Sequence, residues 1–119
     1  MDETVLFNRY GKSAYRLCGS VFYDFMGKPR GFLSGTTVYD LRCQHRGFYI
    51  RGVIWDRMGR VVGYTEGGTS NGLQLPPVEI PPVPYKNLPP PDPLPECVEV
   101  QHPTLVPAWS MMRLENLLV

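Results

Sequence analysis

A sixteen-residue repeat runs through the first half of the chain. The positions Asn8, Asp24, Asp40 and Asp56 are sixteen residues apart, and an aromatic residue immediately precedes each of them. A glycine stands three residues after the first, second and fourth of these positions, whereas the third repeat has Cys43 there. A short, fixed period indicates one small unit copied and packed against itself, so the repeat constrains the architecture. It does not indicate what the protein does.

Each repeat predicts a β-hairpin. The residues before the turn are β-branched and aromatic, as in 53–55, and such residues favour a strand. The segment from Asp56 to Gly59 is typical of a type I turn followed by a bulge, because Asp can bond the backbone two residues on and Gly accepts a positive φ. Cys43 occupies this glycine position in the third repeat. It predicts a different turn there, since a positive φ is costly for other residues.

Four such hairpins predict an all-β fold in which the units form a pseudo-fourfold array over residues 1–68. A single hairpin is marginal in water, but four can share one core, and closing them into a ring leaves no exposed sheet edge. The aromatics before the turns are expected in the shared interior: Tyr23, Tyr39 and Trp55. Backbones are expected to approach closely at the glycines of the return strands: Gly31, Gly47 and Gly63.

The repeat pattern resembles a known family. An aromatic residue, Asp, two variable residues, Gly, a basic residue, two variable residues, Gly and a second aromatic recur over residues 4–68. This pattern is similar to that of the bacterial 4-fold β-flower family, whose members are small proteins with four hairpin repeats and a Pro-rich tail. The resemblance covers the repeats, and the tail is similar only in character. It implies the fold and brings no assigned activity, and therefore no catalytic residues.

Residues 69–119 form a second segment, a Pro-rich arm. Twelve of the thirteen prolines lie between Pro76 and Pro107, which excludes helix and central strand and favours polyproline II. In one interpretation the arm is a ligand for SH3, WW or EVH1-type grooves, with short motifs in 81–85 and 88–91. In the other it is a stiff strap that packs on the hairpin array or on a neighbouring subunit. The apolar residues between the prolines favour the strap.

The last residues of the chain are apolar and predict a docking segment. Pro107 or Ala108 could begin a short terminal helix with Met111, Leu114 and Leu118 on one face. About three turns of helix would not be stable alone in water, so we expect this segment to dock on its own core or on a partner. The residues expected to contact a partner are Tyr85, Trp109, Met112 and Leu114.

The charge is divided unequally between the two segments. Residues 4–68 carry ten basic and four acidic residues, whereas residues 69–119 carry two basic and five acidic ones, within a net charge of +1. An acidic arm can fold back on a basic array. The alternative is nucleic-acid binding by basic residues of the array, which is less favoured because they are spread over the repeats and do not form one run. The arginines that would bind the nucleic acid are Arg30, Arg46, Arg57 and Arg60.

The cysteines and histidines do not predict a catalytic or metal site. Three cysteines at unrelated repeat positions argue against a disulfide framework and favour reduced thiols in the cytoplasm. A metal site would require the convergence of residues far apart in the chain: Cys43, His45, Cys97 and His102. The repeated acids at the turns form a possible ring for a cation, although turn capping already accounts for them. We expect no cofactor, no metal, no small-molecule substrate and no enzymatic activity.

The sequence therefore predicts a non-enzymatic binding or structural module. It would act through protein–protein contacts of the Pro-rich arm and the C-terminal apolar segment, with another protein or with a second copy of itself. No secretory leader or membrane-spanning run is visible, so we expect a cytoplasmic protein without a membrane partner.

Overall fold

The computed structural model describes residues 3–70, 72–98 and 100–118. Eight antiparallel strands, each paired with the next along the chain, form a barrel that closes where Phe7 of the first strand pairs with Tyr64 of the eighth. The all-β fold predicted from the repeat is confirmed. The strands are β1 Glu3–Phe7, β2 Ser13–Cys18, β3 Val21–Tyr23, β4 Pro29–Ser34, β5 Thr37–Asp40, β6 His45–Ile50, β7 Val53–Asp56 and β8 Arg60–Tyr64.

The four hairpin turns follow one design. In each, the side-chain Oδ1 of Asn8, Asp24, Asp40 or Asp56 accepts hydrogen bonds from the backbone N–H groups two and four residues on, at 2.8–3.1 Å. The prediction of a different turn at Cys43 is wrong. Cys43 has a φ of 67°, close to the glycines at the equivalent positions, and its N–H donates to the carbonyl of Asp40 at 3.1 Å.

The barrel interior is filled by the residues that stand two positions before each turn residue. They are the repeat-equivalent Leu6, Phe22, Val38 and Ile54, and they form one buried cluster with three leucines from the C-terminus, Leu114, Leu117 and Leu118. These three leucines close the barrel at the end that carries the Asx turns. The interior core therefore belongs partly to the arm, because the barrel strands alone do not fill it.

The aromatics before the turns are buried, but the prediction that they lie inside the barrel is wrong. Successive side chains of a strand point to opposite faces, so Tyr23, Tyr39 and Trp55 lie on the outer face. There each meets a residue of the preceding strand: Tyr23 faces Arg16, Tyr39 faces Phe32 and Trp55 faces Phe48. The arm covers this outer layer, which explains the burial of the rings.

The return-strand glycines lie where backbones approach closely, as predicted. A Cβ built on Gly63 would collide with the carbonyl oxygen of Phe7 in β1 and with the side chain of Leu114. A Cβ on Gly31 or Gly47 would come even closer to a carbonyl oxygen of the neighbouring strand. Only glycine permits this spacing, because any side chain would push the strands apart.

The Pro-rich arm circles the barrel at the ends of the four turns. We call residues 76–98 and 100–105 the belt. Its backbone passes the four turns in chain order, and its hydrogen bonds to the barrel lie between 2.8 and 2.9 Å at the first, second and fourth turns. They are Glu79 N–H to Gly11 O, Tyr85 N–H to Phe25 O, Leu88 N–H to Gly27 O and, at the end of the belt, Val106 N–H to Gly59 O.

The possible short terminal helix is reduced to one 3-10 turn, and no helix begins at Pro107 or Ala108. Residues Val106–Trp109 form strand β9, parallel to β8, and a single 3-10 turn follows at Leu114–Asn116. The strand is favoured because the N–H groups of Val106 and Ser110 donate to barrel carbonyls, a pairing that a helix would forgo. Within the described ranges, no helix is long and apolar enough to cross a bilayer.

At the third turn the belt is attached by a disulfide between Cys43 and Cys97, whose Cα atoms are 5.5 Å apart. The expectation of three reduced thiols is therefore wrong for this pair, and Cys18 is the free cysteine among the described residues. The belt carries Cys97 past the third turn, and this path brings together two residues that are 54 positions apart in sequence.

Candidate partner-binding groove

The four residues predicted to contact a partner occupy different environments. Tyr85 lies on the belt with 64% of its surface exposed. Trp109 and Met112 line one groove near the C-terminus. Leu114 borders the same groove, but its side chain is fully buried in the barrel interior and does not present a surface to a partner. Its apolar character reflects the internal core that it completes.

The groove lies between the first hairpin turn and the C-terminal segment, and we call it the C-terminal groove. Its volume is about 340 Å³. Apolar and aromatic side chains alternate with charged ones around it. The lining residues are Asn8, Arg9, Tyr10, Val62, Trp109, Ser110, Met111, Met112, Arg113, Leu114 and Glu115.

Hydrogen bonds to two hairpin turns hold the C-terminal segment in place. At the fourth turn, Ser110 Oγ donates to Asp56 Oδ2 at 2.5 Å, and the N–H of Met112 donates to Ser110 Oγ at 3.0 Å. At the first turn, Asn8 Nδ2 donates to Glu115 Oε1 at 2.9 Å. The segment is therefore fixed on both sides of the groove, and its main chain does not depend on a ligand for its path.

Arg9 lies beside two aromatic rings at the rim of the groove. The guanidinium carbon of Arg9 lies 5.6 Å from the ring centroid of Trp109 and 5.8 Å from that of Tyr10. These distances fall within the range of cation–π attraction. In the described part of the chain, neither Arg9 nor Arg113 forms a salt bridge. Both cations therefore stand beside apolar surface without an acidic partner from residues 3–70, 72–98 or 100–118.

The apolar side chains of the groove rim are unusually exposed. Met111 is fully exposed, and Tyr10 and Met112 are 71% and 42% exposed. A second group of exposed apolar residues follows the belt between the first and second turns: Ile80, Val83, Tyr85 and Leu88. The backbone of this stretch is bonded to the barrel of its own chain, while these side chains face outward.

The acidic ring at the turns is occupied by protein groups. Asp24 Oδ2 accepts from Arg30 Nε at 2.9 Å, and Asp40 Oδ2 accepts from Arg46 Nε at 3.0 Å. Burial raises the pKa of Asp24, but the hydrogen bonds from Lys28, Arg30 and Met26 outweigh it, and the net pKa is below the ordinary value. These bonds use the oxygens that a cation would need.

The cysteines and histidines converge only in part. Cys43 and Cys97 form the disulfide, while the His45 and His102 rings lie 4.6 and 5.9 Å from the Phe48 ring. Burial, followed by the charge of Arg57, lowers the pKa of His45 and favours its neutral form. Among the described residues, no group of three or more His, Cys, Asp or Glu side chains is arranged to hold a metal.

The arginines of the nucleic-acid alternative are divided between two environments. Arg30 and Arg46 are committed to the turn carboxylates Asp24 and Asp40. Arg57 and Arg60 are exposed at the fourth turn. Only this second pair remains available to phosphate groups without breaking an ion pair, and nucleic-acid binding stays a prediction.

Comparison with known proteins agrees with the fold. The family described as 4-fold beta flower protein matches residues 4–118, so the match extends beyond the repeats through the belt and the C-terminal segment. No curated protein and no solved structure matches the chain significantly. Since the family match spans nearly the whole sequence and the hairpins close into a ring, the chain belongs to the 4-fold beta flower protein family.

Proposed function

We propose that this protein is a non-enzymatic binding module that captures a segment of another protein in the C-terminal groove. The observation that carries the proposal is the exposure of Met111 and Tyr10 beside Trp109, in a groove whose main chain is already fixed. Exposed apolar side chains gathered around a concavity are typical of interaction sites. Aromatic and methionine side chains supply large contact areas at such sites.

The charges of the groove favour a partner segment that combines apolar side chains with carboxylates. Arg9 and Arg113 carry positive charge at the rim, and Glu115, the acidic residue of the lining, accepts a hydrogen bond from Asn8. An incoming carboxylate would meet a guanidinium, while an apolar side chain beside it would pack on Trp109 and Met112. Arginine beside aromatic surface is a common arrangement at the centre of protein interfaces.

The proposal is tested by NMR of the two tryptophan indoles. Trp109 lines the groove, whereas Trp55 is buried under the belt, so the second indole is an internal control. A short peptide of alternating leucine and glutamate should shift the Trp109 signal and leave that of Trp55 in place. A leucine–lysine peptide of the same length should shift neither, since its lysines would meet the like charges of Arg9 and Arg113.

Two charge-reversal variants separate this function from its alternatives. Arg9→Glu with Arg113→Glu should weaken binding of the acidic peptide by at least about tenfold, because like charges then face each other. Arg57→Glu with Arg60→Glu makes the same change in charge at two exposed residues that do not line the groove, and it should weaken peptide binding far less. A short DNA duplex that binds wild type and loses affinity only in the second variant would support nucleic-acid binding instead.

The oligomeric state is the remaining outcome to measure. Self-association through the groove would appear as a dimer mass in light scattering that the Arg9→Glu, Arg113→Glu variant reduces to a monomer, and the partner would then be a second copy. Failure of the acidic peptide to shift the Trp109 indole would contradict the proposed peptide chemistry. We retain a cytoplasmic location as part of this proposal.

A further inference from the structure

The belt is held to the four hairpin turns in two different ways. At the first and second turns it forms backbone hydrogen bonds with the barrel, and at the fourth turn Val106, the residue that follows the belt, forms another. Between Leu88 and Val106, no backbone hydrogen bond joins the described residues of the belt to the barrel. At the third turn, within this stretch, the Cys43–Cys97 disulfide makes the connection.

Few other contacts hold this stretch of the belt. The hydroxyl of Tyr39 donates to the carbonyl oxygen of Val98, and His102 lies against the Phe48 ring. Val100 and Leu105 pack on the outer aromatic layer, while the side chain of Val98 itself points to solvent. Segments with sparse apolar contacts and no backbone pairing open at lower free energy than the rest of a domain.

The repeat itself shows how unusual the third turn is. At the other three turns, a Cβ would collide with a belt carbonyl oxygen: that of Pro77 at Gly11, Lys86 at Gly27 and Thr104 at Gly59. The third turn has the same positive φ but carries a cysteine, whose side chain reaches the belt covalently. A strained, non-glycine conformation is kept at the one turn where the side chain makes this bond.

We propose that the Cys43–Cys97 disulfide is a reversible clasp whose reduction releases the belt between Leu88 and Val106 and uncovers the aromatic face of β5 and β6. The uncovered rings would be those of Tyr39 and Phe48. The barrel does not need this stretch for closure, because its ring of strands is complete through the pairing of Phe7 with Tyr64. The flanking anchors at Leu88 and Val106 keep the released stretch attached at both ends.

A dithiol reductant can open the clasp by thiol–disulfide exchange. One thiolate of the reductant attacks a sulfur of the bridge, forming a mixed disulfide while the other cysteine leaves as a thiolate. The second thiol of the reductant then attacks the mixed disulfide and releases the remaining cysteine. Two electrons and two protons pass to Cys43 and Cys97, and the reductant becomes a disulfide. Both cysteines are partly exposed, so a small dithiol can reach them.

The compartment decides which state is populated. Reducing surroundings such as the cytosol disfavour disulfides, whereas oxidising ones preserve them. The clasp would therefore report the redox state around the protein, closed under oxidation and open under reduction. The clasp acts within a single chain and does not require the C-terminal groove to bind anything.

Hydrogen exchange on the full chain, oxidised and then treated with dithiothreitol, tests the clasp. Reduction should speed amide exchange from Leu94 to Leu105 by about tenfold or more, since local opening governs exchange there. Exchange in β2, β3 and β8 should stay unchanged. Cys43→Gly, which restores the residue of the other repeats, should exchange fast in this stretch without dithiothreitol and should not respond to it.

Two serine variants separate the loss of the disulfide from a change at the third turn or at the free cysteine. Cys97→Ser should behave like Cys43→Gly while keeping the third turn unaltered, and Cys18→Ser should behave like wild type. Equal exchange from Leu94 to Leu105 in the oxidised and reduced protein would overturn the proposal. So would loss of protection in all strands together on reduction, because the bridge would then be a staple of the whole fold. Two free thiols at Cys43 and Cys97 in the air-oxidised protein, seen by mass spectrometry, would also overturn it.

Discussion

Ser110 donates a hydrogen bond to Oδ2 of Asp56. In the second and third repeats, the equivalent carboxylate oxygen accepts a hydrogen bond from an arginine of the same repeat. Asp24 and Asp40 pair with Arg30 and Arg46, which are repeat-equivalent. In the fourth repeat, the position equivalent to Arg46 is occupied by Val62. The carboxylate of Asp56 therefore takes its side-chain partner, Ser110, from the C-terminal segment. The docking position of that segment is thus determined by a gap in the repeat.

Ser110→Ala should destabilise the protein and loosen the C-terminal groove. A hydrogen bond to a charged group contributes roughly 1.5–3 kcal/mol, and this one also positions the N–H of Met112. Urea unfolding should show the loss as a lower midpoint with an unchanged slope. Ser34→Ala, at an exposed serine at the end of β4, is the matched control and should change stability by less than about 0.5 kcal/mol.

The local features of the fold were predictable from the sequence because short-range chemistry determines them. The hairpins, the Asx turns and the close approach at Gly63 follow from residue types within one repeat. The face of the barrel that each aromatic occupies was not predictable. Both Leu6 and Phe7 are apolar, as are Val38 and Tyr39, so strands covered on both faces carry no alternation that would distinguish inside from outside.

The disulfide and the docking of the C-terminal segment could not be predicted, because both depend on the path of the belt around the barrel. Proline restricts the backbone of the belt only locally and does not determine this path. The disulfide joins residues 54 positions apart, and no spacing rule indicates such a pair. Two signals were nevertheless present. Cys43 interrupts a glycine position, and Ala14 and Val62 replace the arginine of the other repeats at the two turns where the C-terminal segment docks.

Leu117→Ala should be strongly destabilising. Leu117 is buried in the barrel interior between strands of the ring, although it comes from the arm. Removing a buried leucine side chain typically costs about 2–5 kcal/mol, through lost burial and the cavity that remains. Met111→Ala, six residues earlier and fully exposed, should change the free energy of unfolding by less than about 0.5 kcal/mol. Equal effects of the two substitutions in urea would contradict the proposed interior position.

Protonation of Asp24 should contribute to the loss of stability of the protein in acid. Its pKa in the folded protein lies below the ordinary value of 3.8, so its ionised form stabilises the fold at higher pH. This stabilisation is present above 3.8 and is lost as the pH falls through the lower, folded-state pKa. Urea midpoints from neutral pH down to about pH 3 should therefore drop more steeply for wild type than for Asp24→Asn. Asparagine is the matched control because Asn8 caps the first turn in the same way.

Gly27→Ala should displace the belt as well as strain the second turn. The φ of Gly27 is 83°, and a Cβ there would collide with the carbonyl oxygen of Lys86. Gly35 has a φ of 61° with open space around it, so Gly35→Ala isolates the backbone strain, about 1–2 kcal/mol. Gly27→Ala should cost more, and it alone should accelerate trypsin cleavage of the belt at Lys86, the belt lysine that lies against this turn. Equal stability and equal cleavage rates for the two variants would mean that the belt does not lie against the second turn in solution.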